Sequence, residues 1–248
     1  MAILRHWAGT KGDLVQIVIL AGGLGTRLRA IDPLRPKALM PVAGRPFIEW
    51  QFDLLRKNGL LDVVLSIGHL GDQLMKHVGD GRAWGLRVQY ACEDPQRLLG
   101  TGGALVHALP LLADEFLVMY GDSYLPIPYS PVIDAFHAAK APALMTVFRN
   151  KGAWDASNAR VEGDRVTFYS KKAQPEAADW IDYGLLAYKR DVIARYASTS
   201  LPLDMAAIVT DLVAAKELAA YEAPQRFYEI GKPEGLRELE QVLSSNGV

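Results

Sequence analysis

Val15-Gln16-Ile17-Val18-Ile19-Leu20-Ala21-Gly22-Gly23-Leu24-Gly25-Thr26-Arg27-Leu28 is the stretch on which the fold turns. Its first six residues have the length and β-branched content of a buried strand. A glycine-rich turn follows, whose backbone N–H groups can close around an anion, and it ends on an arginine. The spelling sets it apart from two commoner phosphate-gripping loops. A dinucleotide fingerprint needs G-x-G-x-x-G, but the sixth position from Gly23 is Leu28, and the P-loop pattern G-x-x-x-x-G-K-[ST] is absent. A second cation arrives shortly afterwards in Pro36-Lys37. Two cations around a glycine turn have no obvious packing role, so the loop points to a bound nucleotide.

Outward from this loop, strand-like and helical runs alternate. Pro46–Asn58 has helical spacing, with Pro46 suited to a first turn and Asn58-Gly59 to a stop. Val63–Ile67 reads as a strand, Gln73–Val78 as a short helix, Arg87–Ala91 as a strand, Thr101–Leu109 as a helix, and Glu115–Tyr120 and Ala143–Val147 as strands. Such alternation predicts an α/β fold. The expected arrangement is a three-layer α/β/α, Rossmann-like, mostly parallel sheet with right-handed crossovers. After Asn150 the rhythm changes: Arg160–Glu162 and Arg165–Tyr169 form a hairpin pattern around Gly163-Asp164. Trp180–Tyr188 and Phe227–Ile230 read as strands, Met205–Leu218 as a helix, and Pro233 opens a terminal helix. The expected organisation is a leader over 1–14 and a single domain over 15–248. Within it, 15–150 form a nucleotide-binding half and 151–248 a small β-rich elaboration of the same sheet.

The 248 residues are half apolar, enough for one sizeable core, and the formal net charge is −1. That balance leaves no global footprint for nucleic acid or an anionic membrane, so any anion is gripped locally. A single cysteine, Cys92, excludes an intrachain disulfide framework, and no apolar run reaches the length of a membrane span. A cytoplasmic protein, monomeric or homodimeric, is the expectation.

Ligands of open α/β sheets sit outside the carboxyl ends of strands. Three features fall there: the loop after Leu20, the stretch Cys92–Gly103, and Gly121-Asp122. Asp122 ends an otherwise apolar strand, where it either caps the next turn or ligates Mg²⁺, an ion that takes one or two carboxylates beside phosphate oxygens and water. Glu229, between apolar residues just before a glycine and a helix, is the candidate second carboxylate, with Asp182 and Glu93 as competitors. Lys171 and Lys172 follow a strand, and one of them is a candidate for function. The five histidines show no ligand spacing, and no nucleophilic triad pattern occurs.

The loop, Pro36-Lys37, Leu99-Gly100-Thr101-Gly102-Gly103-Ala104, Gly121-Asp122 and Glu229-Ile230-Gly231-Lys232-Pro233-Glu234 follow one another in order. Together they resemble the sugar-1-phosphate nucleotidylyltransferases, nearest to the short bacterial heptose-1-phosphate and mannose-1-phosphate guanylyltransferases. The resemblance implies Mg²⁺-dependent transfer of a nucleoside monophosphate from an NTP to a sugar 1-phosphate, releasing pyrophosphate. Leu20, Ala21, Gly22, Gly23, Gly25 and Thr26 would then line the nucleotide, with Gly100 and Thr101. Arg27 would hold the departing phosphates, and Lys37 would draw charge from the α-phosphate. Asp122 and Glu229 would hold the metal, and Lys171, Asp182 and Gly184 would face the sugar phosphate. Glu93 would lie beside the base, where a carboxylate accepts two donors from guanine; this favours GTP, with UTP as the alternative. Three positions depart from the family pattern: Glu229 stands for an aspartate, Ser170-Lys171 for Glu-Lys, and Asp182-Tyr183-Gly184 for an asparagine-glycine sugar contact. The other readings are a uridylyltransferase acting on a muramate- or glucose-type sugar 1-phosphate, a cytidylyltransferase of a non-sugar phosphate, and a catalytically weak nucleotide or sugar-phosphate sensor.

Overall fold

The computed structural model describes residues 15–25, 32–152, 154, 156–172 and 178–245. Strand β1 (Gln16–Leu20) is followed by a two-residue hairpin of β2 (Pro41–Val42) and β3 (Arg45–Pro46), then α1 (Phe47–Lys57), β4 (Asp62–Ile67) and α2 (Gly71–Val78). Next come β5 (Arg87–Cys92), α3 (Gly100–Ala108), β6 (Glu115–Tyr120), β7 (Ser123–Tyr124), α4 (Ser130–Ala138) and β8 (Ala143–Arg149). The second half contributes β9 (Ala159–Glu162), β10 (Arg165–Tyr169), β11 (Trp180–Lys189), α5 (Arg190–Ala194), α6 (Met205–Ala214), β12 (Leu218–Glu222), β13 (Tyr228–Glu229) and α7 (Pro233–Ser245).

Nine strands form one sheet in the order β5-β4-β1-β6-β11-β8-β12-β10-β9. Only β11 and β10 run against the rest, which makes the sheet mostly parallel, as the alternation predicted. The period-two alternation of side chains divides each central strand between two cores. Ile17 and Ile19 of β1 join Ile48, Phe52 and Leu55 of α1, Leu74 of α2 and Phe136 of α4 on one face. Val18 joins Leu105 of α3, Val192 of α5 and Ile208 and Leu212 of α6 on the other. Helices cover both faces, giving the three layers. A smaller cluster lets α7 close the edge of the site: Leu239 and Leu243 pack on Val42, Phe47, Trp50 and Ile230.

Two local readings differ from expectation. The predicted helix over Met205–Leu218 ends at Ala214, and Leu218 opens β12, which pairs in parallel with β8. Lys216 in the left-handed region (φ 58°) turns the chain there. The run Leu218-Ala219-Ala220 continues a helical composition, and the open edge of β8 overrides that propensity. Helix α4 carried no sequence reading; its Ser130-Pro131 start is the signal that would have found it. Among the described residues no helix is long and apolar enough to cross a membrane.

Candidate active site

The parallel strands β1, β4, β5 and β6 all finish at one rim, and their ends are stitched together beyond the ladder. The Ala21 N–H donates to the Ser66 carbonyl at 2.8 Å, the Gly121 N–H to the Leu20 carbonyl at 3.0 Å, and the Glu93 N–H to the Ile67 carbonyl at 2.8 Å. A cavity of about 260 Å³ opens at this rim. Leu20, Ala21, Gly22, Gly23, Lys37, Glu93, Gly100, Thr101 and Asp122 all line it, with Ser66, Leu98 and Tyr120. Nine of the residues singled out from sequence thus share one wall. Gly25, in the left-handed region (φ 59°), lies just outside, beside Lys37. Thr26 and Arg27 lie outside the described residues.

The glycines are needed for close approach. A Cβ on Gly22 would stand 3.1 Å from Glu93 Oε1 and 3.2 Å from the Gly68 nitrogen. Glu93 is itself held: Ser66 Oγ donates to Oε1 at 3.3 Å and the Leu99 N–H to Oε2 at 3.1 Å. Each carboxylate oxygen therefore retains acceptor capacity while its orientation is fixed. Lys37 opens a short 3-10 turn and its Nζ donates to Asp122 Oδ2 at 2.9 Å. The cavity thus holds a cation and an anion in direct contact, both partly exposed.

Asp122 sits between β6 and β7. Its carbonyl accepts the Ile230 N–H at 2.9 Å, and β13 pairs antiparallel with β7, setting Glu229 opposite Ser123. The two candidate carboxylates are thus on adjoining strands, but they line different hollows. Asp122 faces the cavity, and Glu229 lines an open groove with Trp154, Arg226 and Lys232. Asp122 Oδ1 accepts no hydrogen bond from the described residues, and its hard anionic oxygen suits Mg²⁺. No cluster of three histidine, cysteine or carboxylate side chains able to cage a metal occurs among the described residues, so phosphate oxygens and water would complete the shell.

Lys171 is paired with Asp204, which caps α6 through the Ala206 N–H and also accepts from Thr101 Oγ1 at 3.3 Å. Burial works to raise the Asp204 pKa, but the Lys171 ammonium and the α6 N–H outweigh it and hold the carboxyl below its usual range. Asp182 is half-buried, and burial pushes its pKa up to about 6 against the opposing pull of the Gly184 N–H (2.9 Å), the Tyr120 and Tyr169 hydroxyls and Lys171. Gly184 (φ 88°) stands against Tyr120 and Ser123, where a Cβ would come within 3.3 Å of both. Lys171, Asp182 and Gly184 are therefore neighbours of Tyr120 and Thr101, on the side of the cavity nearest the second half. Lys172 is exposed.

Ser66, Tyr120, Tyr169 and Asp204 had not been singled out from sequence. Asp204 carried a legible signal, an aspartate immediately before an apolar helical run. Ser66 and the two tyrosines sit in strands with apolar neighbours, where nothing local marks them.

The nucleotidyl transferase family model matches residues 16–246. The chain is 38% identical over 117 residues to the N-acetylmuramate alpha-1-phosphate uridylyltransferase of Neisseria meningitidis serogroup B, covering 47% of this chain and 50% of that protein. It is 34% identical over 116 residues to the D-glycero-alpha-D-manno-heptose 1-phosphate guanylyltransferase of Campylobacter jejuni, covering 47% and 51%. The chain thus spans about half the length of these curated relatives. The solved inositol-1-phosphate CTP transferase of T. maritima shares the fold at a TM-score of 0.74 and 19% identity, over 95% of this chain and 98% of that one.

Proposed function

Because the chain belongs to the nucleotidyl transferase family, we propose that it transfers a nucleoside monophosphate from an NTP to a sugar 1-phosphate, releasing pyrophosphate. The observation that carries this reading is the shared cavity, in which Gly22 and Gly23, Lys37, Asp122, Glu93 and Thr101 meet. A phosphate oxygen of the sugar 1-phosphate attacks the α-phosphorus in line. The bond between that phosphorus and the β-phosphate bridging oxygen breaks, and pyrophosphate leaves with the bond electrons. Such a reaction asks the protein for alignment and charge neutralisation more than for covalent help.

The chain's own residues divide that work. Backbone N–H groups of the glycine turn and Arg27 hold the departing phosphates, and Lys37, fixed by Asp122, draws charge from the α-phosphate. Lys171 meets the sugar phosphate, and Asp182 accepts a hydrogen bond from a sugar hydroxyl. Asp122 and, from the adjoining strand, Glu229 would hold Mg²⁺, which would supply Lewis-acid neutralisation of phosphate charge. The geometry of Glu93 supports GTP: both oxygens are fixed and each keeps a lone pair for one donor of the guanine edge. Uridylyl transfer is the second reading, favoured because Ser66 and the Leu99 N–H already occupy part of that acceptor capacity. The acceptor is a heptose- or mannose-type sugar 1-phosphate.

Pyrophosphate release from five nucleoside triphosphates against mannose, heptose, glucose, N-acetylglucosamine and muramate 1-phosphates tests the proposal. Turnover for at least one pair is expected, and binding without turnover across the whole matrix would establish a sensor instead. Glu93→Gln should then depress GTP use well beyond UTP use; equal losses would remove Glu93 from base choice.

A further inference from the structure

Gln51 is a fully buried amide on α1. Its Nε2 donates to the Ser123 carbonyl at 2.9 Å and to the Tyr120 carbonyl at 3.2 Å. These two carbonyls flank Gly121-Asp122. Both partners are acceptors, so only the NH₂ end of the amide can face them, and the orientation of the side chain is fixed.

The same turn is held from two other directions. The Gly121 N–H bonds the Leu20 carbonyl, and β1 presses so close that a Cβ on residue 121 would lie 2.6 Å from that oxygen. The Ile230 N–H of the segment after β13 bonds the Asp122 carbonyl. With β1, α1 and the β13 segment gripping the backbone, the part of the turn left to work in the cavity is the Asp122 carboxylate, in contact with Lys37. Gln51 Oε1 is buried and has no hydrogen-bond partner among the described residues. Packing alone does not ask for such a group, since a methionine of similar volume would fill the space without burying an unmatched acceptor.

We propose that Gln51 is a positioning residue that bridges the carbonyls on either side of Gly121-Asp122 and thereby aims the Asp122 carboxylate at metal and phosphate. The proposal rests on the functional reading above. It places the control of metal geometry on a helix that touches neither substrate.

The test compares the full-length wild type with Gln51→Met, which keeps the volume and removes the donor. Mn²⁺ affinity is read by electron paramagnetic resonance in the presence of GTP, GTP affinity is read without metal, and turnover is followed by pyrophosphate release. Outer-shell partners of metal ligands typically govern about 10–100-fold in metal affinity or activity. Mn²⁺ affinity and kcat should therefore both fall by at least about tenfold, while metal-free GTP affinity and the KM for the sugar phosphate stay within about twofold. Gln51→Asn retains the amide but is one methylene short of spanning both carbonyls, and should show a smaller loss in the same two quantities. If Gln51→Met does not fold, the asparagine variant carries the test; if neither folds, Gln51 is scaffolding and the proposal is wrong. Unchanged Mn²⁺ affinity in a folded variant also overturns it. A wild type that releases no pyrophosphate overturns the functional reading, whereas an active wild type with an equally active Gln51→Met overturns this inference alone.

Discussion

Asp182 stands among Tyr120, Tyr169 and the Gly184 N–H, and burial lifts its pKa from 3.8 to about 6. The folded state therefore holds a proton that the unfolded chain has already released between those values. Stability from this source is fully present below about pH 4 and is lost as pH rises through about 6. A shift of this size corresponds to at most about 3 kcal/mol. Urea midpoints at pH 4.5 and 7.5 should therefore differ less for Asp182→Asn than for the wild type, the variant gaining at the higher pH; parallel profiles would show that the carboxyl is solvated. The same titration bears on specificity. Above about pH 6 Asp182 is purely a hydrogen-bond acceptor, and below it the protonated form can donate. If Asp182 meets a sugar hydroxyl as proposed, that contact would vary with pH in a way an asparagine could not.

At the scale of the element, helix α3 shows how one wall of the cavity depends on glycine. The Gly102 and Gly103 N–H groups both donate to the Leu203 carbonyl, at 2.9 and 3.0 Å, and the Leu203 N–H returns a bond to Leu99. Gly100 has φ 77°, and a Cβ there would lie 2.4 Å from the Leu203 carbonyl oxygen. Gly100→Ala should cost roughly 2 kcal/mol or more in chemical denaturation, from backbone strain and overpacking together. It should also weaken nucleotide binding by moving Thr101; an alanine variant of wild-type stability would contradict the geometry. Such contacts explain which parts of the site could be read in advance. The glycine turn, Glu93 and Asp122 follow strands whose apolar spelling is local, so their meeting at one rim follows from parallel topology, while Lys37 is legible from its pairing with Pro36 after the glycine turn. Asp204, Ser66, Tyr120 and Gln51 matter through partners more than 25 residues away, and nothing in their immediate neighbourhood reveals those partners. For the same reason the predicted helix runs on into Leu218 and the rest of β12 has no reading: its strand character is supplied by β8, not by its own residues.

For the whole molecule, the sheet weaves the two halves of the chain together. Strand β11 enters from the second half and lies between β6 and β8, both contributed by the first. A fragment ending at residue 150 would leave one edge of β6 and both edges of β8 unpaired and uncover Leu105, Phe116 and Val118, which the second half helps bury. That fragment should fail to give a dispersed amide spectrum or a cooperative unfolding transition; a folded, monomeric product would disprove the interdependence. The intact chain should unfold in one step. Saturating it with Mg²⁺-GTP at about 100 times the dissociation constant should raise its unfolding free energy by about 2.7 kcal/mol, read as a common midpoint shift at tryptophans in either half.

The position of β11 also sets a timetable for birth on the ribosome. β1, β4, β5 and β6 emerge first and can align with one another, but Tyr120 leaves the peptidyl-transferase centre 60 residues ahead of Trp180. At about 5–20 residues per second, the edge of β6 waits several seconds for the strand that covers it. Phe116 and Val118, buried in the finished protein partly by the second half, should lack that cover for the interval. The strand that carries Asp182 and Gly184 to the rim of the cavity is thus also the one that ends this wait.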